Sequence, residues 1–283
     1  MKCGQECLNC IDKQIIRTLE LLDLPTSKSK IIEAKTKDFL RRADLSLAPI
    51  QISQGIFELI QHESMFFDPY HYIKEESNKL AQTILKKSEE ELQNSKDPLF
   101  AALNFSLHSN IIDYGPSKEF DAEKTIVESI TKPPFINDYK SFLTRMEEAK
   151  NFAFICDNAG EIVFDLQFVD EINRKFNLDK ISLIVKQHPI LNDITLDDMK
   201  QFNSKLSSNT EILAVNNSYN SKSYLKDIKE LVSLFDVTVS KGQGNFELLY
   251  DSNLGIYFAF IVKCSYIGDY VNAAINDTIF HRH

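Results

Sequence analysis

The chain has 283 residues, enough to bury one large core or two modest ones. Its 32 Lys and Arg against 41 Asp and Glu give a net charge of -9, which argues against a broad nucleic-acid or anionic-membrane surface. The longest apolar run, residues 254–262, falls well short of the ~20 residues that span a bilayer. The first residues carry no apolar signal core, and the five cysteines make no dense framework, so a cytoplasmic, reducing-compartment protein is expected.

The first half reads as helices. Ile11, Ile15, Leu19 and Leu22 recur at helical spacing, as do Ile56, Leu59 and Ile60, and then Tyr72, Ile73, Leu80, Ile84 and Leu85. Charged residues fill the gaps, as on a solvated face. Lys132-Pro133-Pro134-Phe135 breaks the pattern between residues 126–130 and a helix around residues 139–149.

From about residue 150 short apolar runs alternate with helical stretches. Strands are expected at residues 152–156, 181–186, 211–215, 237–240 and 255–263, the last as an antiparallel edge. Helices are expected between them, at about residues 162–176, 196–206, 222–235 and 246–250. This alternation means a mostly parallel, three-layer α/β/α, Rossmann-like domain. The organisation expected is a helical region over residues 1–148 and an α/β/α domain over residues 149–283.

Polar residues gather at the strand ends. The run 152–156 stops at Asp157-Asn158, two hard oxygen donors that suit a divalent cation where parallel sheets hold their ligands. The second strand leads to Asn192-Asp193, the fourth to Lys241-Gly242-Gln243-Gly244-Asn245, and the fifth to Lys263-Cys264. On one shared rim these acids, amides and ammonium groups suit a cation plus a phosphate ester. Each has a plainer reading alone. An Asp at a strand end caps helices, Lys241-Gly-Gln-Gly-Asn245 lacks P-loop spacing, and Lys263 can snorkel. Cys7-x-x-Cys10 with Cys3 offers zinc or redox chemistry but lacks a fourth ligand nearby, so free thiols are the simpler reading. His188 reads as a solvated loop residue, and Cys156 and Cys264 as packing residues. In 107–115, Asn110 and Asp113 interrupt the helical pattern and are candidates to close over the crevice.

Together these residues resemble the damage-control phosphatase family, also called domain-of-unknown-function family 89, with the ARMT-like fold. The similarity runs through Cys7-x-x-Cys10, Asp68-Pro69-Tyr70 with Lys74, and Asn110-x-x-Asp113-Tyr-Gly115, where Ser109 replaces the family's usual Gly. It continues through Asp157-Asn158-Ala-Gly160-Glu161, Asp193, Lys241-Gly-Gln-Gly-Asn245 and Lys263. The resemblance implies a metal-dependent phosphatase of small phosphorylated metabolites, with helices packed on an α/β/α domain. It implies one divalent ion on Asp157, Asn158 and Asp193, with manganese, cobalt or nickel preferred and magnesium accepted. Asp157 and Asp193 are then catalytic. Asn110, Asp113, Glu161, Lys241, Gly242, Gly244, Asn245 and Lys263 face phosphate or substrate. The nucleophile stays open between water and the Asp157 carboxylate. The rival readings are an S-adenosylmethionine-dependent carboxyl methyltransferase and a non-catalytic sugar-phosphate or nucleotide-binding module.

Overall fold

Helices come first in the chain: α1 (Gln5–Leu21), α2 (Thr26–Arg41), α3 (Pro49–Ser64), α4 (His71–Lys87), α5 (Glu89–Gln93), α6 (Pro98–His108) and α7 (Glu119–Ser129). Strands and helices then alternate: β1 (Ile136–Asn137), α8 (Tyr139–Met146), β2 (Asn151–Ile155), α9 (Glu161–Lys175), β3 (Lys180–Lys186), β4 (Thr210–Val215), α10 (Tyr224–Val232), β5 (Val237–Lys241), α11 (Gln243–Leu249), β6 (Tyr257–Ile261), α12 (Ser265–Val271) and β7 (Thr278–Arg282). The computed structural model describes residues 1–112, 119–219 and 224–283.

All the strands join one sheet in the order β1-β7-β6-β5-β2-β3-β4. The pairs β3–β4, β2–β3, β2–β5 and β5–β6 are parallel, and β6–β7 is antiparallel. This is the mostly parallel α/β sheet the alternation implies. The central strands bury both faces, and their side chains alternate between two apolar layers. Phe152 and Phe154 of β2 pack with Phe142, Phe164 and Phe168 from α8 and α9. Ala153 and Ile155 of the same strand face Phe246, Phe258 and Phe260 in the other layer. A third cluster joins α1, α2 and α3 through Ile11, Ile15, Leu19, Ile32, Ile52 and Ile56. Among the described residues, no helix is long and apolar enough to cross a membrane.

Local chemistry sets several helix starts. Asp97 caps α6, accepting from the Phe100 amide at 3.2 Å, with Pro98 at the first helical position. Gln51 reaches back from the first turn of α3 to the Ala48 amide at 3.1 Å, behind Pro49.

Two expectations need correction. The strand over residues 255–263 is not an antiparallel edge. As β6 it lies inside the sheet, parallel to β5. The antiparallel strand is β7, which the helix α12 and a turn bring back along β6. The edge on that side is β1, two residues long, just after the Pro-Pro breaker. The stretch expected as a helix at 196–206 is a 3-10 segment, Asp198–Lys205. Thr195 engages the Asp198 carboxylate through its amide (3.0 Å) and hydroxyl (2.7 Å), a local bond that competes with regular α-helix.

Chain order gives the sheet its switch point. From β2 the chain winds outward through β3 and β4, then returns to the other side of β2 with β5 and continues outward to β6. The crevice outside the carboxyl ends of β2 and β5 is where such sheets bind ligands.

Phe142 is fully buried, and its ring meets Tyr139, Phe168, Tyr257 and Phe280. Phe142→Ala is expected to lower stability by about 3–5 kcal/mol, read as an earlier urea midpoint. A loss below about 1 kcal/mol would mean that α8 is not a working part of the core.

Candidate active site

Backbone pairing fastens the loop after β2 to the loop after β3. The Ile194 amide donates to the Asp157 carbonyl at 2.8 Å, and the Ala159 amide to the Asn192 carbonyl at 2.9 Å. Asn158 and Asp193 form an antiparallel bridge. Asp157, Asn158 and Asp193 are thus neighbours, and all three are buried. Asn158 donates from its amide nitrogen to Asp157 at 3.1 Å and to Glu161 at 2.8 Å, which leaves its carbonyl oxygen as the donor for a cation.

The end of β5 supplies the opposite charge. Lys241 is 1% exposed. Its ammonium bonds Glu161 at 2.7 Å, Asp165 at 3.3 Å and the Ser106 carbonyl. Burial works against its charge, but Asp165 and Glu161 outweigh that and hold the lysine protonated. Burial alone would raise the Glu161 carboxyl; Lys241, Lys263 and the bonds from Lys241 and Asn158 bring it below its ordinary value. Gly242 follows at φ 84°, and a Cβ there would lie 2.0 Å from the Asp157 carboxylate. Backbone conformation and the close approach of Asp157 both require glycine. At Gly244 the nearest atom to an added Cβ is Ile50, at 3.6 Å, so nothing comparable restricts that position.

Other candidates take their places around this centre. The Asn245 amide nitrogen bonds the carbonyls of Cys156 (3.1 Å) and Lys241 (2.8 Å), bracing α11 against the ends of β2 and β5. Asn110 bonds Glu161 across the crevice. Lys263 is exposed, its amide bonds Gln243 at 2.8 Å, and its charge is felt by both Asp157 and Glu161. Asp113 lies outside the described residues. His188 stands on the loop after β3, its amide bonded to Asn217 at 2.8 Å.

Two buried participants are absent from the sequence candidates. Lys186, the last residue of β3, pairs with Asp193 and is held protonated against burial by Asp193, Tyr224 and Asp157. Asp165 is fully buried one turn beyond Glu161, bonded by the Ser106 hydroxyl at 2.6 Å. Its second oxygen has no hydrogen-bond partner among the described residues, and burial above all pushes its carboxyl up to about 6. Both left a trace in the sequence. Lys186 ends a buried strand as Lys241 does, and Asp165 stands four residues after Glu161, on the same helix face.

Charge is the test of whether a metal fits. Asp157, Glu161, Asp165 and Asp193 face two buried ammonium groups, Lys186 and Lys241. Fully ionised, four against two leaves two negative charges over, the amount one divalent cation offsets. Burial, then Asp193 and Glu161, push the Asp157 carboxyl well above its ordinary range. Hard oxygens and an excess of negative charge therefore fit a divalent ion. Another acidic group, Asp68, His71 and Asp198, has ligand atoms all within 4.8 Å of one another. There the buried Lys74 already bonds Asp68 at 2.6 Å and Asp198 at 2.7 Å, so a metal would have to displace an ammonium group. Lys74 also approaches the Asp193 carbonyl at 3.5 Å, which links this group to the crevice.

Comparison with known proteins decides the family. The model of the damage-control phosphatase ARMT1-like domain matches residues 3–279. The chain belongs to this family. A damage-control phosphatase of Pyrococcus horikoshii is 27% identical, with 93% of this chain and 92% of that relative covered. A damage-control phosphatase of Archaeoglobus fulgidus is also 27% identical, over 81% of this chain and 79% of the relative. An uncharacterized protein of Methanocaldococcus jannaschii is 26% identical over 99% and 95%. The crystal structure of a DUF89 family protein from P. horikoshii superposes with a TM-score of 0.89 at 23% identity, covering 100% of this chain and 99% of that one, and so shares the fold.

In this damage-control phosphatase-like chain the thiols stand outside the charged centre. All five are free. Burial, then Asp165, raises the Cys156 thiol well above its ordinary value, and burial foremost pushes Cys3 up to about 12. Neither is a ready nucleophile.

Lys241→Met is expected to cost about 3–5 kcal/mol of stability, because it strands Glu161 and Asp165 without their cation. Urea unfolding at neutral pH measures it. A loss near zero would show that Lys241 does not hold this ion group together.

Proposed function

We infer that this chain is a metal-dependent phosphatase that hydrolyses phosphate monoesters of small metabolites. The observation that carries the reading is the surplus of two buried carboxyl groups over buried ammonium groups around the carboxyl ends of β2, β3 and β5, in a chain of the damage-control phosphatase family. Asp157, Asn158 and Asp193 would hold one divalent cation. When bound, it supplies a Lewis acid for a phosphoryl oxygen and offsets the charge of the ester.

The chain's own residues do the rest. Lys241 has little freedom, because Glu161 and Asp165 fix its ammonium. It therefore presents a preorganised positive charge to the transferring phosphoryl group. Lys263 meets the phosphate from the solvent side. Lys186 holds the Asp193 carboxylate in place, and Gly242 lets Asp157 approach the end of β5. Asn110 and Glu161 close one side of the crevice, and Asp113 is assigned to the same cover. The attacking group is a water or the Asp157 carboxylate; trapping a phosphorylated enzyme by rapid quench would identify the carboxylate.

The working metals are taken as manganese, cobalt or nickel, with magnesium also accepted, following the family resemblance. Sugar phosphates and damaged cofactor-related phosphates are the substrates proposed. Polyanions such as nucleic acid suit a chain of net charge -9 poorly. The cytoplasm, where five free thiols persist, is the compartment proposed.

The test is release of inorganic phosphate from an aryl phosphate and from a panel of phosphorylated metabolites, with each of these metals and with chelator. Turnover that requires metal is expected, with kcat lowered at least about a hundredfold in Asp193→Ala while the thermal transition persists. No turnover with any metal and any monoester would overturn the phosphatase reading.

A further inference from the structure

Lys186 faces a second space besides the crevice. A cavity of about 420 Å3 lies between α3, the segment after β4 and the start of α10, within the ~300–1,000 Å3 of small-molecule pockets. Ile50, Gln54, Lys186, Asn217, Tyr219 and Tyr224 line it. Of the described residues lining it, Lys186 is the one with a charge, and that charge is already met by Asp193. The remaining walls are amide, phenol and aliphatic.

Two observations mark the cavity as a binding site. Its polar wall is fixed: the Asn217 amide nitrogen bonds Gln54 at 2.9 Å and the His188 carbonyl at 3.0 Å, and its oxygen accepts from the His188 amide at 2.8 Å. Tyr224, by contrast, is 8% exposed and lines the cavity, and its hydroxyl is not among the fully buried polar atoms that lack a partner, so that oxygen opens onto the cavity. A phenol held by a largely buried ring with its oxygen open to a cavity can donate to or accept from a hydroxyl bound there. The phenol lies within electrostatic reach of Lys186, Asp193 and Asp157, so the cavity adjoins the proposed metal and phosphate centre.

We propose that this cavity receives the organic part of the substrate, an uncharged group bearing hydroxyls, and that the Tyr224 hydroxyl bonds one of them while the phosphate stays in the crevice. The proposal rests on the phosphatase reading. It makes Tyr224 a specificity-determining residue and disfavours substrates with a second anionic group, since the described residues of the cavity offer such a group no cation without a partner. Aliphatic Ile50 and the ring of Tyr219 suit the C–H faces of a polyol or sugar, and the amides and phenol suit its hydroxyls.

The test compares hexose 1- and 6-phosphates, 6-phosphogluconate and phenyl phosphate in the metal-loaded enzyme and in Tyr224→Phe. The best hexose phosphate is expected to exceed 6-phosphogluconate by about tenfold or more in kcat/KM. Tyr224→Phe should lower kcat/KM for that hexose phosphate by about tenfold or more and change phenyl phosphate by less than about twofold. Equal losses on both substrates, or no loss on either, would overturn the proposal while leaving the phosphatase reading intact, as would turnover of phenyl phosphate with no hexose phosphate accepted. No turnover of anything would remove both. The natural chain has no Trp, so Leu225→Trp places a single indole in the cavity wall and gives a binding readout independent of turnover. Saturable change of its emission by the hexose phosphate, but not by inorganic phosphate, is expected; the same response to both would count against the proposal.

Discussion

The crevice depends on buried charge that the fold does not balance by itself. Lys241 bonds Glu161 and Asp165, Lys186 bonds Asp193, and Asp157 is left between two other carboxylates. Burying an ionised carboxylate without a partner is expensive. Proteins tolerate such arrangements mainly where a ligand supplies the missing charge. Here the shortfall has the charge and hardness of a divalent cation.

Topology explains why these groups meet. Asp157 follows β2, Asp193 follows β3 and Lys241 ends β5, three strands adjacent in the sheet although far apart in sequence. The α6 helix lends Ser106, whose hydroxyl and carbonyl meet Asp165 and Lys241. Lys74 of α4 ties the underside of Asp193 to Asp68 and Asp198. The helical half is therefore part of the site's support. Two positions need the left-handed backbone of glycine: Gly160 and Gly242, with φ of 80° and 84°, each turn the chain from a strand end into the following helix, α9 and α11.

Much of this was legible in the sequence, for a physical reason. Strands such as β2 and β6 lie inside the sheet, so they appear as unbroken apolar runs, and the polar residue that follows each run stands out. What escaped was short or internally compensated. β1 has two residues and β7 five, the latter ending in His281-Arg282, so neither makes a recognisable apolar run. Nothing local to Lys186 reveals that Asp193, seven residues on, folds back onto it. Asp165 lies in an amphipathic helical pattern rich in charges, and nothing local shows that its face of α9 points at Lys241. Asn245 shows the converse: its place in a glycine loop suggested phosphate binding, and its amide nitrogen is engaged by two backbone carbonyls.

The central claim is that the crevice takes up one divalent cation on Asp157, Asn158 and Asp193. Calorimetric titration of manganese into the chelator-treated protein, and into Asp157→Asn, tests it directly. One ion per chain is expected for the natural protein, with affinity lost or weakened at least about a hundredfold in the variant. Unchanged affinity in Asp157→Asn, or no binding by the natural protein, would contradict it.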